Sequence, residues 1–143
     1  MGAINRKVAL LLVSSICFVL AKGAKAQACQ DEESMVTANT KDLSDSVAEV
    51  RKESLDAFVK DFHQKSVSVK LSLSSGMVQQ VVDCFDKAAK DTTATKEQVD
   101  AYKSKSTAYS KLRTKIDQGM KGLKGATDPK QAKALIEKLD FAT

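Results

Sequence analysis

The sequence has no tryptophan, one histidine, one proline, two tyrosines and five phenylalanines in 143 residues. With His63 as the sole imidazole and no Cys-x-x-Cys pair, a closed zinc site of thiolates and imidazoles has too few ligands. A general base would need a nucleophile or second catalytic group beside it, and no Gly-x-Ser-x-Gly is present to supply one. "GMKGLKG", Gly119 to Gly125, has the glycines and lysines of a phosphate loop but follows a helical pattern rather than a strand. The acidic run "DEES" lacks the spacing and central glycine of a calcium loop. No Asn-x-Ser/Thr acceptor occurs, so N-glycosylation is not expected. No catalytic, cofactor-binding or metal-binding residue is therefore assigned. The enzyme reading is reduced to a secreted hydrolase with an unrecognised carboxylate site.

Positive charge is also scarcer than the whole-chain balance suggests. The chain has 23 Lys and Arg against 18 Asp and Glu. Four of those bases (Arg6, Lys7, Lys22 and Lys25) and none of the acids precede Cys29. Residues 1–28 read as a cleaved signal peptide. Arg6 and Lys7 precede the apolar core "VALLLVSSICFVLA", too short for a comfortable membrane span, and small-x-small sites allow cleavage before Gln27 or before Cys29. Without the leader the chain is nearly neutral, so the counterion release that drives nucleic-acid binding has little to work with. Residues 29–143 form one expected secreted domain with a lean core of valine, alanine and leucine. A domain of that size buries about 65% of its unfolded surface.

What is present is helical periodicity. Val36, Leu43, Val47, Val50, Leu55, Phe58 and Phe62 recur at helical spacing, with Asp31, Glu32 and Glu33 suited to a helix start. "SVSVKLSLSSG" alternates like a strand, but no other segment alternates to pair with it. Val67 and Leu71 instead continue to Val78, Val82 and Phe85, while Leu73 leads through Met77 and Val81 to Cys84, which predicts a helix over 66–90. Thr95 with Gln98 makes a capping box for a third helix through Leu123. Gly119, Gly122 and Gly125 suggest a frayed end with Gly125 as C-cap, the alternative being a close helix crossing. Asp128, Pro129 and Gln131 open a last helix carrying Ala132, Leu135, Ile136 and Leu139. The expected fold is all-α: a small antiparallel bundle of about four helices.

Cys17 falls within the leader, leaving Cys29 and Cys84 in an oxidising compartment, where a disulfide is the default. Closing a loop of about 56 residues would stabilise the fold by roughly 4 kcal/mol through loop-closure entropy. "AQAC" also resembles a bacterial lipoprotein site, but it lacks the usual leucine and would strand Cys84. The disulfide excludes a first helix unbroken from Asp31 to Lys65. Cys29 would then lie about 50 Å from the turn and Cys84 about 25 Å from it. A break is expected near "TANTKD", with Asn39 or Thr40 as the new N-cap. A turn near Asp56 or a bond between two chains are the alternatives, disfavoured because Ser54 to Lys60 shows no turn signal.

Lys103, Lys111, Lys115 and Lys121 share one face of the third helix and form a candidate strip for anionic partners, including a membrane surface. Met77, Val81, Phe85, Tyr102, Tyr109 and Met120 are spaced either to fill the core or to line a small apolar cavity. The resulting expectation is a secreted, non-enzymatic protein, monomeric or weakly dimeric. It would act through its surface on another extracellular protein, or else carry a small apolar ligand.

Overall fold

The computed structural model describes residues 6–141, with side chains from Cys29 onward. The expected leader, including Cys17 and both cleavage sites, lies outside the described side chains. Five helices follow in order: α1 (Arg6–Lys52), α2 (Leu55–Lys60), α3 (His63–Ala89), α4 (Lys96–Gly125) and α5 (Pro129–Glu137). Together they form an all-α bundle with one disulfide, Cys29–Cys84. Among the described residues no helix is long and apolar enough to cross a membrane.

Polar ties show the direction of each helix. Along α1 and α3, Asp42 pairs with Lys70, Asn39 meets Ser74, and Cys29 joins Cys84, so the two run antiparallel. Along α3 and α4, Ser75 donates to Asp117 and Ser106 donates to Asp86, again antiparallel. α3 therefore stands between α1 and α4, and it supplies the most buried row: Val67, Leu71, Val78, Val81, Val82 and Phe85. The alternating stretch is helical throughout. Its turn of about 100° per residue sends Val67 and Leu71 into the core and leaves Val69 and Leu73 exposed. Leu73 is thus not part of the apolar face expected for it.

The break in the first helix is where the sequence was not expected to turn. α1 runs straight through "TANTKD". The side chains there do not cap anything: Thr37 Oγ1 and Thr40 Oγ1 donate back to the carbonyls of Glu33 and Val36, at 2.8 and 2.9 Å. Such back-bonding keeps a threonine inside a helix. Asn39 is spent on Ser74, across the α1–α3 seam. The chain turns instead between Lys52 and His63, the alternative near Asp56, and Ser54 supplies the cap, its Oγ accepting from Ala57 N at 3.2 Å. No residues fold back across the second helix, because a later turn already brings Cys29 level with Cys84. "DEES" likewise lies within α1 rather than at its start.

α4 opens on the expected capping box, with both hydrogen bonds between Thr95 and Gln98 formed. At α5, Asp128 accepts from Gln131 N at 2.8 Å, but the Gln131 side chain reaches back to Thr127 N rather than to the cap. The glycines of α4 are helical as far as Gly125, with Ala126 as C-cap. A Cβ at Gly119 would stand 2.9 Å from Leu139 Cδ2 and 3.7 Å from Leu71. That position is a close crossing, not a frayed end, and Leu139 fills the notch. Arg51 anchors the same end: its guanidinium donates to the carbonyls of Glu137 and Leu139 at 3.0 and 3.2 Å, a cation on the negative end of α5.

Candidate functional site

The turn from α1 to α3 forms an elbow of about ten residues in which α2 is a single short helical segment. Phe58 holds it in place, buried against the core with its ring stacked on His63 at 6.4 Å between centroids. The return into α3 is abrupt. Asp61 N donates to Ala57 O and Phe62 N to Val59 O, while Phe62 O already accepts from Lys65 N and Ser66 N. One residue has to end one helix and start the next, and Phe62 does so at φ 54°, ψ 31°, in the left-handed region. Helices commonly end this way, but on glycine. Among the described residues Phe62 is the only non-glycine with positive φ.

This phenylalanine was expected in the core, from its helical spacing to Phe58. It is 73% exposed, because the left-handed turn swings it outward. Leu55, which the same periodicity placed beside the core, is exposed too, as is Val59. Val59, Phe62 and Val69 line one groove of about 590 Å³, floored by Phe58 and Leu123 and edged by Lys65, Lys124 and Pro129. A second hollow of about 460 Å³ continues from Val59 to Leu55, Lys60 and Lys130. The elbow thus presents apolar side chains bordered by lysines at the first groove and by both lysines and the aspartates Asp56 and Asp128 at the second.

On the elbow's other side His63 Nε2 stands 3.0 Å from Glu53 Oε1, both side chains about four-fifths buried. Ligating atoms of Glu53, Asp61 and His63 lie within 4.8 Å of one another. Glu53 Oε2 is buried without a hydrogen-bond partner. Nothing in the residue spacing announced this cluster, because Glu53 was counted as an ordinary helix-end charge. It is assembled by the two turns on either side of α2.

The opposite end of the bundle is closed covalently, with a hollow of about 810 Å³ beside the bond lined by Cys29, Glu32, Gln80, Asp83, Cys84 and Lys87. The sulfurs of Cys29 and Cys84 are joined, with Cα atoms 5.9 Å apart. Phe85 stacks on Tyr102 and Tyr109 at 6.0 and 6.2 Å, and Lys105 Nζ lies 5.1 Å from the Phe85 ring centroid. Lys105 also pairs with Glu33 at 2.8 Å, and Tyr109 donates to the same carboxylate at 3.0 Å. Burial, reinforced by that hydrogen bond and charge, pushes the Tyr109 phenol up to about 12. Val81 and Phe85 are buried, and Met77, Tyr102, Tyr109 and Met120 pack against the core, so the six residues spaced to line a cavity fill the interior with their own side chains.

Lys103, Lys111, Lys115 and Lys121 are all exposed on the outer side of α4, away from buried Leu112 and Ile116. They form a spread-out strip, of which Lys115 borders a hollow of about 390 Å³ together with Gln118, Leu135, Lys138 and Leu139. No family model, curated protein or solved structure matches the chain.

Proposed function

We propose that the protein is a secreted, non-enzymatic binding module that acts on another extracellular protein, and that the α2 elbow is its docking surface. The observation carrying this reading is Phe62: a large aromatic, mostly exposed, at a backbone position where glycine would be free of strain. Left-handed geometry costs a non-glycine residue about 1–2 kcal/mol. An exposed ring with few contacts of its own does not offset that cost in the isolated chain. Its outward aim makes sense as a contact made with something else, and strained positions of this kind cluster at functional sites. Aromatic residues, phenylalanine included, are also enriched at protein interfaces relative to the rest of the surface.

The neighbours fit the same use. Leu55, Val59 and Val69 extend the apolar area, and Lys65 and Lys124 edge it. The matching partner surface is an apolar segment flanked by carboxylates. Disulfide closure and the absence of a membrane-crossing helix among the described residues agree with an extracellular setting. Carriage of a small apolar ligand has less support, since the interior positions spaced to line a cavity are filled.

The test is capture from the native extracellular fluid with immobilised wild-type protein, beside Phe62→Gly and Val59→Ser/Val69→Ser variants. A partner retained by the wild type and lost by both variants, with their melting temperatures at or above wild type for Phe62→Gly and within a few degrees for the pair, supports the elbow. Equal capture by all three places the interaction elsewhere.

A further inference from the structure

We propose that Glu53, Asp61 and His63 form a binding site for a divalent transition-metal ion, with the ion clamping the elbow at Phe62. The ligand set is a borderline nitrogen donor with two carboxylates, which suits zinc, manganese or cobalt better than calcium or magnesium. Three protein donors leave one or more positions for water. Such a site needs no second histidine and no cysteine, which is how it escapes the exclusions drawn from composition.

Two observations carry it. First, the His63 Nε2 to Glu53 Oε1 separation of 3.0 Å is about what two donors at 2.0–2.1 Å from a shared ion would show. An ion between them would replace that ion-pair contact, and a carboxylate oxygen of Asp61 lies within 4.8 Å of both donors. Second, Glu53 Oε2 is buried and unpartnered. An orphaned carboxylate oxygen is costly when buried, and a cation within reach satisfies it. The simpler reading, a histidine–glutamate ion pair, engages Oε1 alone, whereas an ion chelated by both oxygens of Glu53 would engage Oε2 as well.

Placement adds a consequence. Asp61 and His63 are the residues on either side of Phe62. An ion held by both fixes the backbone between them, and Glu53 ties that turn to the end of α1. Binding would therefore rigidify the left-handed residue that presents the exposed ring. The site stands on its own residues and does not depend on the docking role proposed for the elbow.

The experiment titrates Zn²⁺ into the full, oxidised chain by calorimetry and follows the imidazole resonances by NMR. The chain has one histidine, so those signals report on His63 without any variant. The expected result is one ion per chain, displaced His63 resonances and a rise in melting temperature. Co²⁺ should give the visible absorption of a protein-bound ion. His63→Gln and Glu53→Gln should each weaken binding at least tenfold and Asp61→Asn less, with helicity and the disulfide retained. Unmoved imidazole signals at saturating Zn²⁺, equal affinity in His63→Gln, or no saturable uptake below about 1 mM would each overturn the assignment. The imidazole readout keeps the proposal open to refutation even if a variant does not fold.

Discussion

The two ends of the bundle solve opposite problems with the same kinds of residue. At the Cys29–Cys84 end the aromatic Phe85 is buried under two tyrosines and a lysine, and Glu33 is shared between Lys105 and Tyr109. At the elbow Phe62 stands in solvent on a left-handed turn, and Glu53 keeps one buried oxygen unpaired. The cross-linked end spends most of its polar and aromatic groups on itself, although Glu32 Oε2 beside the disulfide is also buried without a hydrogen-bond partner. The other holds them in reserve. The cross-link and the proposed docking surface lie at different ends of one small domain, and each end can be perturbed with a different expected readout.

The largest effect is expected at the closed end. Cys29→Ser with Cys84→Ser removes the cross-link between α1 and α3, whose sequence separation is 55 residues. Losing that closure should cost about 4 kcal/mol, a fall in melting temperature of roughly 10–20 °C. Thermal unfolding by circular dichroism, with and without reductant, measures it. Reductant should move the wild type most of the way to the double variant and leave the variant unchanged. A shift of only a few degrees would mean that the aromatic cluster and the Lys105–Glu33–Tyr109 ties hold that end without the bond.

The elbow should respond with the opposite sign. Phe62→Gly removes left-handed strain and gives up little buried area, while adding some flexibility to the unfolded chain. The balance is a gain of about 0.5–1 kcal/mol. Phe62→Ala keeps the strain and should fall at or slightly below wild type. Chemical denaturation of the three proteins, compared at equal slope, checks the ordering. If glycine destabilises, the ring makes contacts in the free protein that its exposure does not show, and its case as a held-out contact fails. A glycine variant that is more stable but binds its partner less would sharpen the contrast between the ends.

The same contrast governs what could be read in advance. Cys29 and Cys84 were legible because an even thiol count in a chain expected to be exported has few other uses, and Thr95 with Gln98 because a capping box is a local code. The need for a break before α3 followed from the disulfide and helix dimensions alone. Its place did not. Thr37 and Thr40 look like caps in a sequence, but each hydroxyl can equally bond the carbonyl one turn back, and the choice depends on Ser74 being there to take Asn39. Ser54 followed by Asp56 was the available signal, a capping hydroxyl with an acid in the first turn. Phe62 misled because periodicity assumes one continuous helix, and a single left-handed residue turns an inward position outward. Glu53, Asp61 and His63 share no motif. They meet only because the chain turns twice, so the cluster is a property of the tertiary path.

The smallest expected effect returns to the closed end, where Tyr109 offers a pH handle. Burial beside Glu33 raises its phenol from the ordinary 10.0 to about 12. An unfolded chain ionises this group near 10, whereas the folded chain resists until about 12. The stability tied to the neutral phenol is therefore complete below pH 10 and is lost as pH rises through 12. Tyr109→Phe keeps the ring that stacks on Phe85 but loses the hydrogen bond to Glu33, at a cost near neutrality of about 1 kcal/mol or less. Other groups titrate in the same alkaline range, so the informative quantity is the difference between wild type and Tyr109→Phe rather than either curve. Denaturation midpoints followed from pH 9 to pH 12 should converge as the wild type loses its advantage, and a tyrosinate absorbance step near pH 12 should vanish in the variant. Parallel curves would place the phenol in water, detach Glu33 from it, and leave Lys105 as that carboxylate's partner at the closed end.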